Sequence, residues 1–210
     1  ALMPLPAPGI RLSDKQKTSE ILIACGATIH EINAIRKHIS AIKGGQLARI
    51  AVPATLISLI LSDVVGDNVD VIASCPTAPD PTTFTGCLHI IEKYAIASLL
   101  PEAVLHHIEN GAAGAIPETP KHGEPFFKNT FNQIIGGNAR ALACAEARAR
   151  VLGYNSLTLS SMFEGDTREA ARIHAAIARE TLHTSQPVSP PACILSGGET
   201  TVKVCGHGLG

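Results

Sequence analysis

The sequence predicts an α/β fold, a parallel sheet covered by helices, and three observations predict it. Residues 55–61, TLISLIL, form a continuous apolar, β-branched run that is too short for a typical helix. It is also too apolar for a half-exposed strand, so it reads as a buried parallel strand. The run stops in Ser62, Asp63, Gly66, Asp67, Asn68 and Asp70, at a strand's carboxyl end, where open α/β sheets place their ligand crevice. Aromatic residues make up 3% of the chain and Trp is absent, so Ile, Leu, Val and Ala must build the core, as in helix-covered parallel sheets.

Composition narrows the class further. A chain of 210 residues, 45% hydrophobic and 17% charged, with mean hydropathy +0.21, has enough apolar material for one domain or one and a half. The formal charge of −1 gives no bulk attraction to nucleic acid or to an anionic membrane, so neither is an expected partner and any basic site is local. Six scattered cysteines without a C-x-x-C pair fit reduced thiols and a cytoplasmic location. No run approaches the roughly 18 consecutive apolar residues of a membrane span, and no secretory signal opens the chain. Both ends read as the interior of something longer, so a fragment is one expectation.

Taken in order, Ser13 or Asp14 can cap a helix that runs to about Cys25 and stops at Gly26. A second helix starts at Thr28 with Glu31 as its capping-box partner, and its apolar positions Ile29, Ile32, Ile35 and Ile39 follow the helical period. His30, Arg36, Lys37 and His38 are placed on its other face. After the strand at 55–61, prolines stiffen the loop at 74–83, and a helix starts near Thr82 or Thr83. Residues 101–110 read as a surface helix carrying His106 and His107. A strand at 131–135, a helix at 139–152, a strand at 156–160 and a helix capped by Asp166 follow. Pro187, Pro190 and Pro191 mark a boundary, with short strands at 192–196 and 201–205 beyond it.

Five stretches carry chemistry. Arg36-Lys37-His38 is either a solvated helix face or an anion clamp. Lys43-Gly44-Gly45 favours the clamp, because glycines let backbone N–H groups approach an anion closely. Asp63 and Asp67, four apart after a strand, are either loop residues or carboxylates for Mg²⁺ or a general base. Gly136-Gly137-Asn138 joins a strand to a helix N-terminus, a ready anion site. Ser196-Gly197-Gly198-Glu199-Thr200 is either a hairpin turn or a glycine-rich loop for phosphate or Mg²⁺. No G-x-x-x-x-G-K-[ST] and no G-x-G-x-x-G occurs.

Taken together, EINAIRKHIS, KGG, LILSDVVGD, VIASCPTAPDPTTF, IIGGNARAL and LSGGETTV, in this order, resemble the glycerate 2-kinase family of the MOFRL type, whose members often carry the label hydroxypyruvate reductase. The resemblance implies a Rossmann-like sheet with helices on both faces over residues 1–186. It also implies a linker and the start of a second α/β domain, the MOFRL domain, over 187–210. The implied reaction is ATP- and Mg²⁺-dependent phosphorylation of D-glycerate to 2-phosphoglycerate. Asp63, Lys43 and Arg36 are then the catalytic candidates, with Asp63 and Asp67 toward the metal. Lys37, Gly44, Gly45, Ser74, Pro76 and Thr77 are candidates for binding substrate or nucleotide, with Gly136 to Asn138 and Ser196 to Thr200. An NAD(P)H-dependent hydroxypyruvate reductase and a non-catalytic fragment are the alternatives, and a homodimer is allowed. Where the family reads Ser-Gly-Pro-Thr, this chain has Ser74-Cys75-Pro76-Thr77, so Cys75 is expected to be strained if that position needs φ > 0.

Overall fold

The computed structural model describes residues 3–202. The chain is α/β, with seven α-helices and four strands among the described residues: α1 (Leu12–Ala24), α2 (Ile29–His38), α3 (Gln46–Ile50), β1 (Leu56–Leu61), α4 (Phe84–Lys93), α5 (Glu102–Ala112), β2 (Thr130–Gly136), α6 (Asn138–Val151), β3 (Asn155–Phe163), α7 (Thr167–Thr184) and β4 (Ala192–Gly198). Contacts divide it into two compact units. The first holds residues up to Leu59 with Val69–Gln133; the second holds Ile60–Asn68 with residues from Ile134 onward.

Helices build the first unit. Asp14 caps α1 from inside its first turn, accepting the Arg11 N–H at 2.8 Å, so the helix begins two residues earlier than a Ser13 cap, and three earlier than an Asp14 cap, would place it. Thr28 and Glu31 close the expected capping box on α2, and Thr83 caps α4 through the Gly86 N–H. Leu22, Ile32, Ile35, Ile39, Phe84, Ile91, Val104 and Ile108 meet in one buried core between α1, α2, α4 and α5. Fully burying each such side chain contributes about 1.5–3 kcal/mol.

In the second unit β3 and β4 pair in parallel, Asn155 opposite Ala192 through Leu157 opposite Ile194, with α6 packed against both. Asp166 caps α7 through the Arg168 and Glu169 N–H groups. β4 therefore runs into a parallel partnership with β3. The strand expected at 201–205 is described only at its first residues, where Thr201 bridges Asp166; the rest lies outside the described residues.

β1 corrects one expectation. It pairs with β2 in a two-stranded sheet, and its burial alternates. Leu56, Ser58 and Ile60 are half-buried, whereas Ile57, Leu59 and Leu61 are exposed, Leu61 by 75%. An uninterrupted apolar run signals burial on both faces only where both faces are covered.

Candidate functional site

The last turn of α2 and the loop at 73–80 interlock within the first unit. Lys37 and His38, expected on the outer face of α2, are buried. Lys37 Nζ lies 3.1 Å from Asp80 Oδ1, and His38 Nε2 lies 2.8 Å from Glu118 Oε1. Asp80 also accepts hydrogen bonds from the Thr82 N–H, the Thr82 hydroxyl and the Thr119 hydroxyl. Burial raises the Asp80 pKa, but the Thr82 hydrogen bonds and the charges of Lys37 and His38 outweigh it and leave it below the usual carboxylate range. Lys37 is thus committed to an internal carboxylate.

Gly44 and Gly45 hold backbone positions that an L-residue rarely takes, φ +61° and +82°. Their N–H groups do not face an anion: they donate to the Ser74 and Cys75 carbonyls at 3.0 and 2.9 Å. The glycines are needed for close approach to that loop, since a Cβ on Gly45 would stand 2.8 Å from the Ala78 carbonyl oxygen. Across this seam Lys43 Nζ donates to the Ala73 carbonyl at 2.8 Å and Ser74 Oγ donates to Asn33 Oδ1 at 2.9 Å. Ala73, Ser74 and Cys75 all have positive φ, with Cys75 at +22° and 2% exposed. Three consecutive non-glycine residues in that region are held only because the surroundings over-determine them. Pro76 and Thr77 are buried beside them, with the Thr77 hydroxyl against Asn132 Oδ1 at 2.5 Å.

Arg36 and Lys43 line a cavity of about 360 Å³ with Met3, Pro4, Ser19, Ile39 and a residue that sequence reasoning missed, Lys15. Lys15 gave no signal in the sequence, where it is one of several charged residues on α1.

The second unit holds a larger cavity, about 600 Å³, that gathers three of the predicted stretches. Asp63 lines it from the end of β1. Gly136, Gly137 and Asn138 line it from the β2–α6 junction, and Gly198 and Glu199 from the end of β4, with Arg140 and Ser62 also exposed to it. The glycines let these stretches converge: a Cβ on Gly136 would stand 2.7 Å from Leu61 Cδ2, and one on Gly197 would collide with the Asn138 amide. Asn138 is itself anchored to the Ser161 carbonyl at 2.9 Å, and α6 starts with no side-chain cap at Gly137.

The other candidates of this unit are placed differently. The Asp67 carboxylate lies over Gly137, 3.0 Å from where a Cβ would be. Ser196 Oγ sits 2.6 Å from His174 Nε2, whose Nδ1 faces the Ala170 carbonyl at 2.6 Å, so Nδ1 carries the proton and the Ser196 hydroxyl donates to Nε2. The Thr200 hydroxyl accepts from Thr167 Oγ1 at 2.9 Å.

The sequence family described as a domain of unknown function (DUF4147) matches residues 1–109, just over half of the chain. The chain belongs to the DUF4147 family. That match takes in Lys15, Arg36, Lys43, Asp63, Asp67 and the strained loop at 73–75, whereas Gly136 to Asn138 and Ser196 to Thr200 lie past it.

The DUF4147 chain is 42% identical over 208 residues to the glycerate 2-kinase of Pyrococcus horikoshii, covering 99% of this chain and 46% of that protein. It is 38% identical over 210 residues to the D-glycerate 2-kinase of Thermotoga maritima, covering 100% of this chain and 47% of that one. A crystal structure of the Thermotoga maritima glycerate kinase superposes on 98% of this chain, and 47% of its own, with TM-score 0.82 at 38% identity. The chain spans about half the length of the curated relatives it matches. No helix among the described residues is long and apolar enough to cross a membrane.

Proposed function

We propose that the protein phosphorylates the 2-hydroxyl of D-glycerate with ATP. The observation that carries this reading is the second unit's cavity, where Asp63, the glycine-lined start of α6 and the Gly198-Glu199 turn meet. Such a site suits phosphoryl transfer, which needs positioning and charge neutralisation more than covalent chemistry. The similarity to glycerate kinases over nearly the whole chain supports the substrate.

In this reading the glycerate hydroxyl oxygen attacks the γ-phosphorus and the bond from phosphorus to the bridging oxygen breaks toward ADP. The hydroxyl proton passes to the Asp63 carboxylate. Backbone N–H groups at the uncapped start of α6 and the Arg140 guanidinium hold phosphate oxygens. Among the described residues no three His, Cys, Asp or Glu side chains gather as a metal site. The donor set near this cavity, Asp63 with Asp67 nearby over Gly137, fits Mg²⁺, which binds through one or two carboxylates, water and phosphate. Asp63 and Asp67 would hold it, and when bound it neutralises charge on the phosphate oxygens.

In the first unit Arg36 and Lys43 hold an anionic group, and Ser74, Pro76 and Thr77 form the rigid loop beneath Lys43. Gly44 and Gly45 fix that loop, and Lys37 braces it through Asp80. In the full-length protein, Asp63→Asn should abolish D-glycerate-dependent ADP release while leaving the unfolding curve unchanged. Turnover at the wild-type rate in that variant removes Asp63 from the role.

A further inference from the structure

The cavity between α1, the end of α2 and the 3–4 segment is lined by Lys15, Arg36 and Lys43, and among the described residues by no carboxylate. Each cation's partner is neutral. Lys15 Nζ donates to the Pro4 carbonyl at 3.0 Å and to the Leu5 carbonyl at 3.5 Å; Lys43 donates to the Ala73 carbonyl, and Arg36 Nε to Ser19 Oγ at 3.4 Å. Among the described residues none of the three takes part in an ion pair. This sets them apart from Lys37, one residue from Arg36, which has its own buried carboxylate.

The cluster is costly as it stands. Lys15 is 9% exposed, and burial, then the charges of Lys43 and Arg36, push its pKa down to about 8. Burial and Arg36 lower Lys43 as well. Three partly desolvated positive charges around one opening, with no counter-charge among the described residues, form a site whose missing component is negative.

The cavity wall is also built. Lys15 fastens Pro4, the Ser40 hydroxyl donates to the Leu5 carbonyl at 3.1 Å, and the Ala7 N–H donates to Ile39 O at 3.1 Å, so the N-terminal strip is tied to the end of α2.

We propose that Lys15, Arg36 and Lys43 together seat one oxyanion group, a carboxylate or a phosphoryl group, and that Lys15 is a binding residue of this seat. The inference deepens the glycerate kinase reading by adding a third cation to Arg36 and Lys43, and it rests on that reading only for the identity of the anion. Charge-assisted hydrogen bonds to an oxyanion are among the stronger ones, so removing the Lys15 ammonium should weaken anion binding by about 10- to 100-fold.

The test is the rise in unfolding midpoint of the full chain on adding inorganic phosphate or D-glycerate, in wild type, Lys15→Met and Lys15→Arg. Reading the rise, not the midpoint itself, separates binding from any loss of the Pro4 contact. Wild type should show the rise, Lys15→Met should lose most of it, and Lys15→Arg should keep it. A rise with phosphate alone assigns the seat to a phosphoryl group, and one with glycerate alone assigns it to a carboxylate. If Lys15→Met does not fold, amine labelling of wild type decides instead: label at Lys15 should fall when the anion is present. No rise with either anion, an equal rise in Lys15→Met, or Lys15 labelling indifferent to both anions overturns the proposal. Glycerate turnover can fail while this result stands, because inorganic phosphate probes the seat without the reaction.

Discussion

Lys37 and Asp80 form an ion pair at 3.1 Å in which the two side chains are 4% and 0% exposed. Forty-three positions apart, they fasten the last turn of α2 to the loop that carries Ser74, Pro76 and Thr77. The pair is embedded in a network with Thr82, Thr119, His38 and Glu118, which supplies the further hydrogen bonds that a buried pair needs.

Breaking this pair from one side leaves an uncompensated buried charge. Asp80→Ala should therefore destabilise the chain by about 3–5 kcal/mol. Denaturant unfolding checks it, and a loss under about 1 kcal/mol would show that the network is slack.

Acid should act on the same network. Burial raises the Glu118 pKa, but the Phe84 and Thr119 N–H groups and the charges of His38 and Lys121 outweigh it, so Glu118, like Asp80, is held low. Glu31 is held at about 2 by the Lys93 hydrogen bond and those of Thr28. Because the folded pKa values lie below the unfolded ones, these carboxylates stabilise the fold above about pH 4. That stability is lost as pH falls from about 4 toward 2. Unfolding midpoints measured between pH 7 and 2 should fall most steeply below pH 4; no steepening there would contradict this.

Cys75 sits at φ +22° with its thiol buried, so its side chain burdens the backbone. At an ordinary position glycine is less stable than alanine by roughly 0.5–1 kcal/mol. Here the order should reverse, with Cys75→Gly more stable than Cys75→Ala by about 1 kcal/mol. Comparing the two variants by thermal unfolding isolates the backbone term.

Gly45 should resist any side chain. Its φ of +82° and the Ala78 carbonyl oxygen 2.8 Å from a built Cβ put Gly45→Ala at a cost of about 2 kcal/mol, measurable by the same unfolding experiment.

Local chemistry made much of the fold legible. Thr28 with Glu31, Thr83 and Asp166 announce α2, α4 and α7, because a cap is written within four residues of its helix. The positive φ of Cys75 matches the strain expected there if the position needs φ > 0.

What stayed hidden depends on distant partners. Lys37 and His38 read as an outer face because Asp80 and Glu118 lie 43 and 80 positions away. The Gly44 and Gly45 amides read as anion donors, yet the Ser74 and Cys75 carbonyls take them. Lys15 becomes notable only when α1 brings it beside Arg36 and Lys43. In the second unit the motif residues Asp63, Gly136 to Asn138, Gly198 and Glu199 line one cavity, while Ser196 is held by His174.

Phosphorus NMR of the full-length protein with ATP, Mg²⁺ and D-glycerate tests the central claim most directly. A new phosphate-ester resonance of 2-phosphoglycerate should grow as ADP appears and be absent in Asp63→Asn. A folded protein that yields no glycerate phosphate ester, or an Asp63→Asn variant that yields it as fast as wild type, would contradict it.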